Sequence, residues 1–336
     1  MVITKTPYRL SLFGGGTDFH DWYKTNPSSI IVAAMDHYCY ISVKKQPNFF
    51  DYKSRVAYSK IELVKSNHEI KHPSVRECLK YFNFDGGLDV HHVGELPAQS
   101  GIGSSSSFTV GLLSAIHALK GNKPTKAQLA EEAIYVEQEM IKEAVGVQDQ
   151  ISAAYGGINL IKVGPKKKMK IQKLNVSFGY KEYLRRSILL GFTGITRDGI
   201  ALMETHKNNI KAGKSVKLLQ EINSITLEAL EMIENEGDIE DLGKLLKNAW
   251  NLKKQFSSKI ENKNFEDIYE IANANGALGG KLMGAGGQGF FYFLAHPNKH
   301  DKIKKALPEV RVWVPFNFSK YGSRSISYSG RLSNFP

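Results

Sequence analysis

Three features of the sequence predict an α+β fold in two domains. The first half alternates β-prone and helical segments, whereas helical segments dominate after residue 198. Strands and helices are mixed irregularly, without the regular alternation that is typical of a doubly wound parallel sheet. The chain has 336 residues, which is enough for one large domain or for two domains of ordinary size. We expect a boundary near residue 180, with domains of 1–180 and 181–336.

The first half is predicted to consist mainly of strands, with helices between them. The β-prone segments are VITKTPYRLSLFG, SSIIVAAMDHYCYISVKKQ and SRVAYSKIELVKS. A helix, SVRECLKYFNF, then precedes the strand GLDVHHVGELP, which runs into a turn at Pro97. A stretch rich in glycine and serine opens the next helix, SFTVGLLSAIHALKG, which Gly121 ends. Another helix, TKAQLAEEAIYVEQEMIKEAV, has apolar residues at helical spacing, and Thr125 is its expected N-cap.

The second half is predicted to be mostly helical between two groups of strands. RRSILLGFTG forms a buried strand, and helices follow at 198–212, 214–235, 238–256 and 264–275. The segment ALGGKLMGAGGQGFFYFLAHP then leads from a glycine cluster into an aromatic strand, and KALPEVRVWVPFNFS gives a final strand. The basic block GPKKKMKIQK at 164–173 is expected to be a solvated hairpin or loop.

Composition narrows the classes of function. The net charge is +12, from 45 basic and 33 acidic residues. A lysine-rich surface, attraction of anionic small molecules and nucleic-acid binding all remain possible explanations. No aromatic residues interleave with the basic block in the way that a stacking platform requires, which disfavours nucleic acid.

The chain is expected to be a cytoplasmic protein. No apolar run reaches the about 20 residues that a membrane span needs, and the first residues read as a strand rather than as a signal peptide. Cys39 and Cys78 show no metal-ligand spacing, so two reduced thiols are expected rather than a zinc site or a disulfide framework.

The stretch LPAQSGIGSSSSFTVGLLSAIHAL at 96–119 is the most informative segment. Glycines let backbone N–H groups approach an anion, and the N-terminus of the following helix adds unpaired N–H groups and a partial positive charge. The stretch lacks the Gly-Lys-Ser/Thr of a Walker A loop, and Ser106 stands where a dinucleotide fingerprint needs its third glycine. It therefore indicates a phosphate site of a third type, or otherwise a serine-rich helix N-cap.

Two further segments contain residue types that suit phosphate chemistry. Glu137 and Asp149 are two carboxylates that suit separate roles, one holding a metal ion and one facing a hydroxyl group, although most such residues are ordinary surface acids. The segment KLMGAGGQGFF has four glycines within 284–289, which suits either backbone contact with a ligand or a tight turn.

Taken together, TPYRLSLFGGGTDF, LPAQSGIGSSSS and KLMGAGGQGF resemble the three ordered motifs of the GHMP kinase superfamily, which includes galactokinase, homoserine kinase and mevalonate kinase. The resemblance implies an N-terminal domain like ribosomal protein S5 domain 2 and a ferredoxin-like C-terminal domain. ATP would lie between them, with its phosphates on the loop 101–107.

The resemblance also implies roles for individual residues. Ser105 and Glu137 would hold Mg²⁺, Asp149 would act as the base, and Arg9 would keep Asp149 ionised and stabilise the transferring phosphoryl group. The nucleotide would be contacted by Gly101, Ile102, Gly103, Ser104, Ser105, Ser106, Ser107, Gly284 and Gly286.

The first motif bears on the substrate. Galactokinases have Gly-Glu-His-Thr-Asp where this chain has GGGTD at 14–18, which argues against galactose. GGGTD and GFTGITRDG resemble the sugar-1-kinases that act on fucose or on D-glycero-D-manno-heptose 7-phosphate, and the length favours the heptose group, since fucose kinases are often longer or fused.

Substrate contacts are expected at Gly15, Gly16, Thr17 and Asp18, with Arg197 and Thr193 gripping the sugar's own phosphate. The resemblance thus implies ATP and a sugar phosphate as ligands and a role in nucleotide-heptose and surface polysaccharide biosynthesis. Nucleic acid and membrane are not expected as partners, and a homodimer is possible. A non-enzymatic nucleotide- or nucleic-acid-binding protein is the alternative, but it leaves the three glycine motifs unexplained.

Overall fold

The computed structural model of the protein describes residues 1–165, 167–194, 200–255, 263–284 and 289–327. The predicted mixture of strands and helices is confirmed. The strands are β1 (Val2–Phe13), β2 (Ser28–Lys45), β3 (Ser54–Ala57), β4 (Ile61–Val64), β5 (Leu88–Gly94), β6 (Ile158–Gly164), β7 (Lys167–Lys173), β8 (Ile188–Phe192), β9 (Ala277–Leu282), β10 (Phe290–Ala295), β11 (Val312–Val314) and β12 (Arg324–Ser327).

The helices surround two separate sheets. They are α1 (His20–Tyr23), α2 (Pro73–Tyr81), α3 (Ser104–Leu119), α4 (Lys126–Tyr135), α5 (Gln148–Tyr155), α6 (Phe178–Ser187), α7 (Ile200–Lys211), α8 (Val216–Glu234), α9 (Ile239–Lys254), α10 (Lys263–Ala274) and α11 (His300–Ala306), with short 3₁₀ turns at Asn67–Glu69 and Pro297–Lys299. Among the described residues, no helix is long and apolar enough to cross a membrane.

The first sheet has eight strands and is built around the long β1–β2 pair. Its order is β12-β1-β2-β5-β3-β4, and β6 pairs with both β2 and β7. All pairs are antiparallel except β3 with β5. Helix α3 is almost completely buried against β1 and β2, which explains the apolar run in its sequence. Gly111 allows this close packing, because a Cβ there would lie 2.8 Å from Thr6 Oγ1.

The second sheet has four antiparallel strands in the order β11-β8-β10-β9. Helix α9 packs closely on β9, because a Cβ on Gly243 would lie 2.5 Å from that of Leu278 and one on Gly279 would lie 2.2 Å from the carbonyl oxygen of Gly243. This contact carries the C-terminal turn of α9 to the end of β9, where the third glycine motif begins.

Several elements agree with the sequence-based expectations. Thr125 caps α4 by accepting a hydrogen bond from the backbone of Gln128 at 3.1 Å. The basic block forms β7, which pairs antiparallel with β6 as the expected hairpin. Cys39 and Cys78 are free and buried thiols.

The proposed domain division at residue 180 remains a prediction. Helix α6 spans that position, and β12 pairs with β1 from Val2↔Ser327 to Lys5↔Arg324. The last described strand of the chain therefore belongs to the first sheet. A cut at 180 does not separate the two sheets.

Candidate active site

A cleft lies between the end of the first sheet and the helices of the second. Arg9, Asp18 and Asp149 line it from one side, and His206, Lys253 and Gly284 line it from the other. The three motifs singled out in the sequence meet at or beside this cleft, although more than 70 residues separate each from the next along the chain.

A bidentate ion pair joins Arg9 to Asp149. Arg9 Nε donates to Asp149 Oδ1 at 2.7 Å, and Nη2 donates to Oδ2 at 2.9 Å. Arg9 is 4% exposed, whereas the side chain of Asp149 is 19% exposed and lines the cleft. The third guanidinium nitrogen, Nη1, donates to the carbonyl oxygen of Gly101. This fork geometry fixes the orientation of the carboxylate and balances its charge.

The loop before α3 needs its glycines. Gly101 and Gly103 adopt φ angles of +82° and +71°, which disfavour any residue with a Cβ. A Cβ on Gly103 would lie 3.1 Å from both Arg9 Cγ and Asp149 Oδ2. The carbonyl oxygen of Ile102 accepts a hydrogen bond from the backbone of Arg9 at 3.1 Å. The loop is therefore fastened directly to the Arg9–Asp149 pair.

The third glycine motif packs on the same loop. A Cβ on Gly284 would lie 2.6 Å from Gly101 Cα, and one on Gly289 would lie 2.4 Å from the carbonyl oxygen of Ser100. The backbone of Phe290 donates to that same carbonyl at 2.9 Å. These contacts explain glycine at the two described ends of the motif. Gly286 lies outside the described residues.

The four serines at the start of α3 divide into two pairs. Ser104 is partly exposed and Ser105 is exposed, whereas Ser106 and Ser107 are buried. Ser107 Oγ donates to the carbonyl oxygen of Pro7 at 2.9 Å. The N-cap is Gly103, and no side chain of the described residues caps the helix. The lack of such a cap favours the anion-cradle interpretation over a serine N-cap.

Glu137 is completely buried behind this helix. Its Oε2 accepts hydrogen bonds from Ser106 Oγ at 2.8 Å and from Gln150 Nε2. Its Oε1 has no hydrogen-bond partner among the described residues. Burial, with a smaller contribution from Glu143, raises the pKa of Glu137 to about 8. Such a carboxyl group requires either a proton or a nearby cation.

These observations fit a Mg²⁺ site only in part. An unpartnered carboxylate oxygen is a suitable ligand, and Mg²⁺ in phosphoryl transfer is usually held by few protein ligands besides phosphate and water. The structure brings Glu137 to Ser106, however, and leaves Ser105 exposed. In the described part of the chain, no cluster of three or more His, Cys, Asp or Glu side chains is placed to hold a metal ion.

The GGGTD turn follows β1 and places Asp18 in the cleft. Asp18 is 2% exposed and accepts hydrogen bonds from the backbone of Gly16 at 3.1 Å and of Gln148 at 3.4 Å. Burial and the nearby charge of Asp149 raise its pKa. Gly15 and Gly16 line the cleft beside it, whereas Thr17 is fully buried and its hydroxyl donates to the carbonyl of Gly14 at 2.8 Å. Thr17 thus holds the turn.

Thr193 and Arg197 are the remaining predicted substrate residues. Thr193 joins the two inner strands of the second sheet, because its Oγ1 accepts a hydrogen bond from the backbone of Gly289 at 3.2 Å. Arg197 lies outside the described residues.

Sequence reasoning missed His206 and Lys253. Lys253 Nζ donates to the carbonyl oxygen of Gly284 at 2.6 Å, and burial together with Arg9 lowers the pKa of Lys253 to about 8. Burial and then Lys253 lower the pKa of His206 to about 4, so its imidazole is neutral at neutral pH. One signal was present: Lys253 continues the buried face of α9 that includes Leu246 and Trp250, at helical spacing.

Two segments of the chain match known protein families. Residues 69–157 match the GHMP kinases N terminal domain, and residues 226–311 match the GHMP kinases C terminal domain. Together the two matches cover about half of the chain.

Curated relatives include a D-glycero-alpha-D-manno-heptose 7-phosphate kinase of Campylobacter jejuni, which is 28% identical and aligns over 96% of this chain and 98% of its own length. An L-fucokinase/L-fucose-1-P guanylyltransferase of Bacteroides fragilis is also 28% identical, but over 71% of this chain and 25% of its own length. Among solved structures, a D-glycero-D-manno-heptose 1-phosphate kinase from Bacteroides thetaiotaomicron shares the fold, with a TM-score of 0.79, 21% identity and coverage of 98% and 100% of the two chains.

Proposed function

The chain belongs to the GHMP kinase family, with its N- and C-terminal domains, and we propose that it is an ATP-dependent kinase of D-glycero-α-D-manno-heptose 7-phosphate. It would phosphorylate the anomeric hydroxyl group and yield the 1,7-bisphosphate. The product would serve nucleotide-heptose and surface polysaccharide biosynthesis in the cytoplasm.

One observation supports phosphoryl transfer above the others. The loop before α3, the third glycine motif and the Arg9–Asp149 pair are in direct mutual contact beside one cleft. A helix N-terminus without a side-chain cap provides N–H groups for the nucleotide phosphates. A carboxylate whose orientation is fixed lies within contact of the same loop. Phosphoryl transfer requires little more than such positioning and charge stabilisation.

The surroundings of each residue support a role in this reaction. Asp149 faces the cleft and would accept the proton of the attacking hydroxyl group, while Arg9 keeps the carboxylate in place and bridges it to Gly101. Asp18, held by the backbone of Gly16 and Gln148, would hydrogen-bond a second hydroxyl group of the sugar. Ser105 and Glu137 would hold Mg²⁺, which supplies charge neutralisation on the nucleotide phosphates.

The GGGTD turn lacks the Glu and His of the Gly-Glu-His-Thr-Asp of galactokinases, which disfavours galactose. Two further facts favour a sugar phosphate over a free sugar. The net charge of +12 favours anionic substrates. The Campylobacter jejuni relative, which aligns over almost the full length of both chains, is named as a heptose 7-phosphate kinase. Arg197 remains our candidate for the residue that binds the 7-phosphate of the sugar.

A panel of acceptors tests the proposal. ADP release from MgATP would be measured with D-glycero-α-D-manno-heptose 7-phosphate, L-fucose, galactose and mannose, and the position of the new phosphate would be read by ³¹P NMR. We expect the highest kcat/KM for the heptose phosphate and a signal from an anomeric phosphate. Faster turnover of an unphosphorylated sugar would refute the substrate, and no turnover of any sugar would contradict the sugar kinase itself.

A further inference from the structure

Lys253 is a cation in the wall of the cleft, and no carboxylate of the described residues pairs with it. It is partly buried, and its only described hydrogen bond is the one to the carbonyl oxygen of Gly284. No Asp or Glu of the described chain lies within ion-pair distance of its Nζ, whereas the adjacent Lys254 pairs with Glu266 at 2.8 Å. Withdrawing an ammonium group from water without a counter-charge costs stability, so its presence at a ligand cleft requires an explanation.

The position of Lys253 is defined relative to the phosphate loop. Arg9 Nη1 donates to the carbonyl of Gly101, and Lys253 Nζ donates to the carbonyl of Gly284. Gly101 and Gly284 touch each other. Arg9 on β1 and Lys253 on α9 therefore place two cations beside the contact between Gly101 and Gly284. The charge of Arg9 is balanced by Asp149, and that of Lys253 is left for a ligand.

A second buried lysine shows what a purely structural role looks like. Lys281 on β9 is 6% exposed, and its Nζ donates to the carbonyl oxygen of Leu12 at 3.0 Å, which ties the second sheet to β1. Lys281 is not among the residues that line the cleft, whereas Lys253 is. The hydrogen bond of Lys253 to one carbonyl leaves two further N–H donors of its ammonium group.

We propose that Lys253 is a catalytic residue that contacts the phosphoryl group in transfer, on the side opposite Arg9. This inference rests on the proposed kinase activity. In that reaction the sugar oxygen forms a bond to phosphorus as the bond to the ADP oxygen breaks, and the hydroxyl proton passes to Asp149. Lys253 exchanges no proton and stabilises the charge on the transferring oxygens.

The pH dependence follows from the groups that surround Lys253. Arg9 on β1, His206 on α7 and Lys281 on β9 face it, together with Asp18 after β1 and Asp149 on α5. Burial and Arg9 lower the pKa of Lys253 to about 8, and Asp18 opposes them. The free enzyme therefore loses this charge as the pH rises through about 8, and kcat/KM for ATP should fall there. A bound phosphate raises the pKa of the ammonium group, so the corresponding fall in kcat should occur at higher pH.

Three variants separate a catalytic role from a structural one. Lys253→Met removes the charge, Lys253→Arg keeps a charge that does not titrate, and Lys247→Met on the exposed face of the same helix is the matched control. We expect Lys253→Met to lower kcat roughly 10²–10³-fold with a small change in the KM of the sugar, as for loss of one donor to a transition-state oxyanion. Lys253→Arg should recover part of kcat and lose the decline near pH 8, and Lys247→Met should resemble the wild type.

A binding measurement keeps the test independent of the sugar. The melting temperature would be measured with Mg²⁺ and ADP, with and without aluminium fluoride, which mimics the transferring phosphoryl group. We expect aluminium fluoride to add stabilisation in the wild type and in Lys247→Met, and to add none in Lys253→Met.

The outcomes distinguish the two proposals. Absence of the aluminium fluoride increment in the wild type would contradict phosphoryl transfer and, with it, the role of Lys253. An increment that persists undiminished in a folded Lys253→Met variant would overturn only the role of Lys253. The same holds if Lys253→Met and Lys253→Arg share the wild-type kcat and its decline with pH, since Lys253 would then merely hold Gly284.

Discussion

The carboxylates Asp149 and Glu137 define two corners of the candidate site. The charge of Asp149 is balanced by a cation, whereas no described cation balances that of Glu137. At the first corner, Asp149 meets Arg9 at 2.7 Å and 2.9 Å and keeps one side open to the cleft. At the second, Glu137 is fully buried, accepts hydrogen bonds from Ser106 and Gln150, and meets no cation among the described residues. The first carboxylate is ready to act before any ligand arrives, whereas the second needs a proton or a metal ion.

Local structure explains why the two carboxylates differ. Asp149 lies in the first turn of α5 and touches Gly103, whose missing side chain leaves space at the cleft. Glu137 lies in a π-helical turn, Val136–Ile141, that continues α4. The wider turn changes the direction of side chains relative to a regular α-helix, and such turns are frequent at functional sites. We therefore propose proton transfer for Asp149 and metal binding for Glu137.

The largest effect is expected at the Asp149 corner. Asp149→Asn keeps the shape of the side chain but removes the proton acceptor, so kcat should fall by about 10²–10⁴-fold. Binding of an ATP analogue should remain within a few-fold of the wild type, because the loop and the start of α3 are unchanged. Steady-state kinetics and calorimetry would measure the two quantities. Turnover within a few-fold of the wild type would show that Asp149 only positions the hydroxyl group.

A smaller and different effect is expected at the Glu137 corner. Its pKa is about 8 in the folded protein and near 4.5 when exposed, so the folded state binds the proton more tightly. The stability contribution of this proton is complete below the unfolded pKa and is lost as the pH rises towards about 8, by up to about 1.4 kcal/mol per pH unit.

Glu137→Gln should remove this dependence. Urea unfolding at pH 5, 6, 7 and 8, without metal or nucleotide, would measure it as the difference between wild type and variant. We expect the wild type to lose stability relative to Glu137→Gln with each step in pH. A constant difference would mean that Glu137 is already balanced by a charge in the folded protein.

The glycine motifs and most elements were predictable because their signals are local. The four expected helices of the second half match α7, α8, α9 and α10 to within two residues at each end, and Thr125 caps α4 as expected. Gly101, Gly103 and Gly284 belong to glycine clusters that stand out in the local sequence, and their positive φ angles supply the physical reason for glycine.

Contacts between segments that are far apart in the sequence were harder to predict. The sequence near Arg324 contains no local signal that β12 pairs with β1, because the two strands are separated by about 320 residues. The bond between Glu137 and Ser106, rather than Ser105, depends on the register of a π-helical turn. Gly243 and Gly279 let α9 pack closely on β9, and Lys253 lies in the last turn of that helix, in the wall of the cleft. In each case the missing information is three-dimensional.

The division of labour between the two carboxylates can be tested most directly by ligand-induced stabilisation. The melting temperature would be measured for the wild type, Glu137→Gln and Asp149→Asn with a non-hydrolysable ATP analogue, with and without Mg²⁺. A ligand that binds only the folded state raises its stability, so the Mg²⁺-dependent increment reports metal binding. We predict the increment in the wild type and in Asp149→Asn and its loss in Glu137→Gln. The opposite pattern, or an equal increment in all three proteins, would contradict the account.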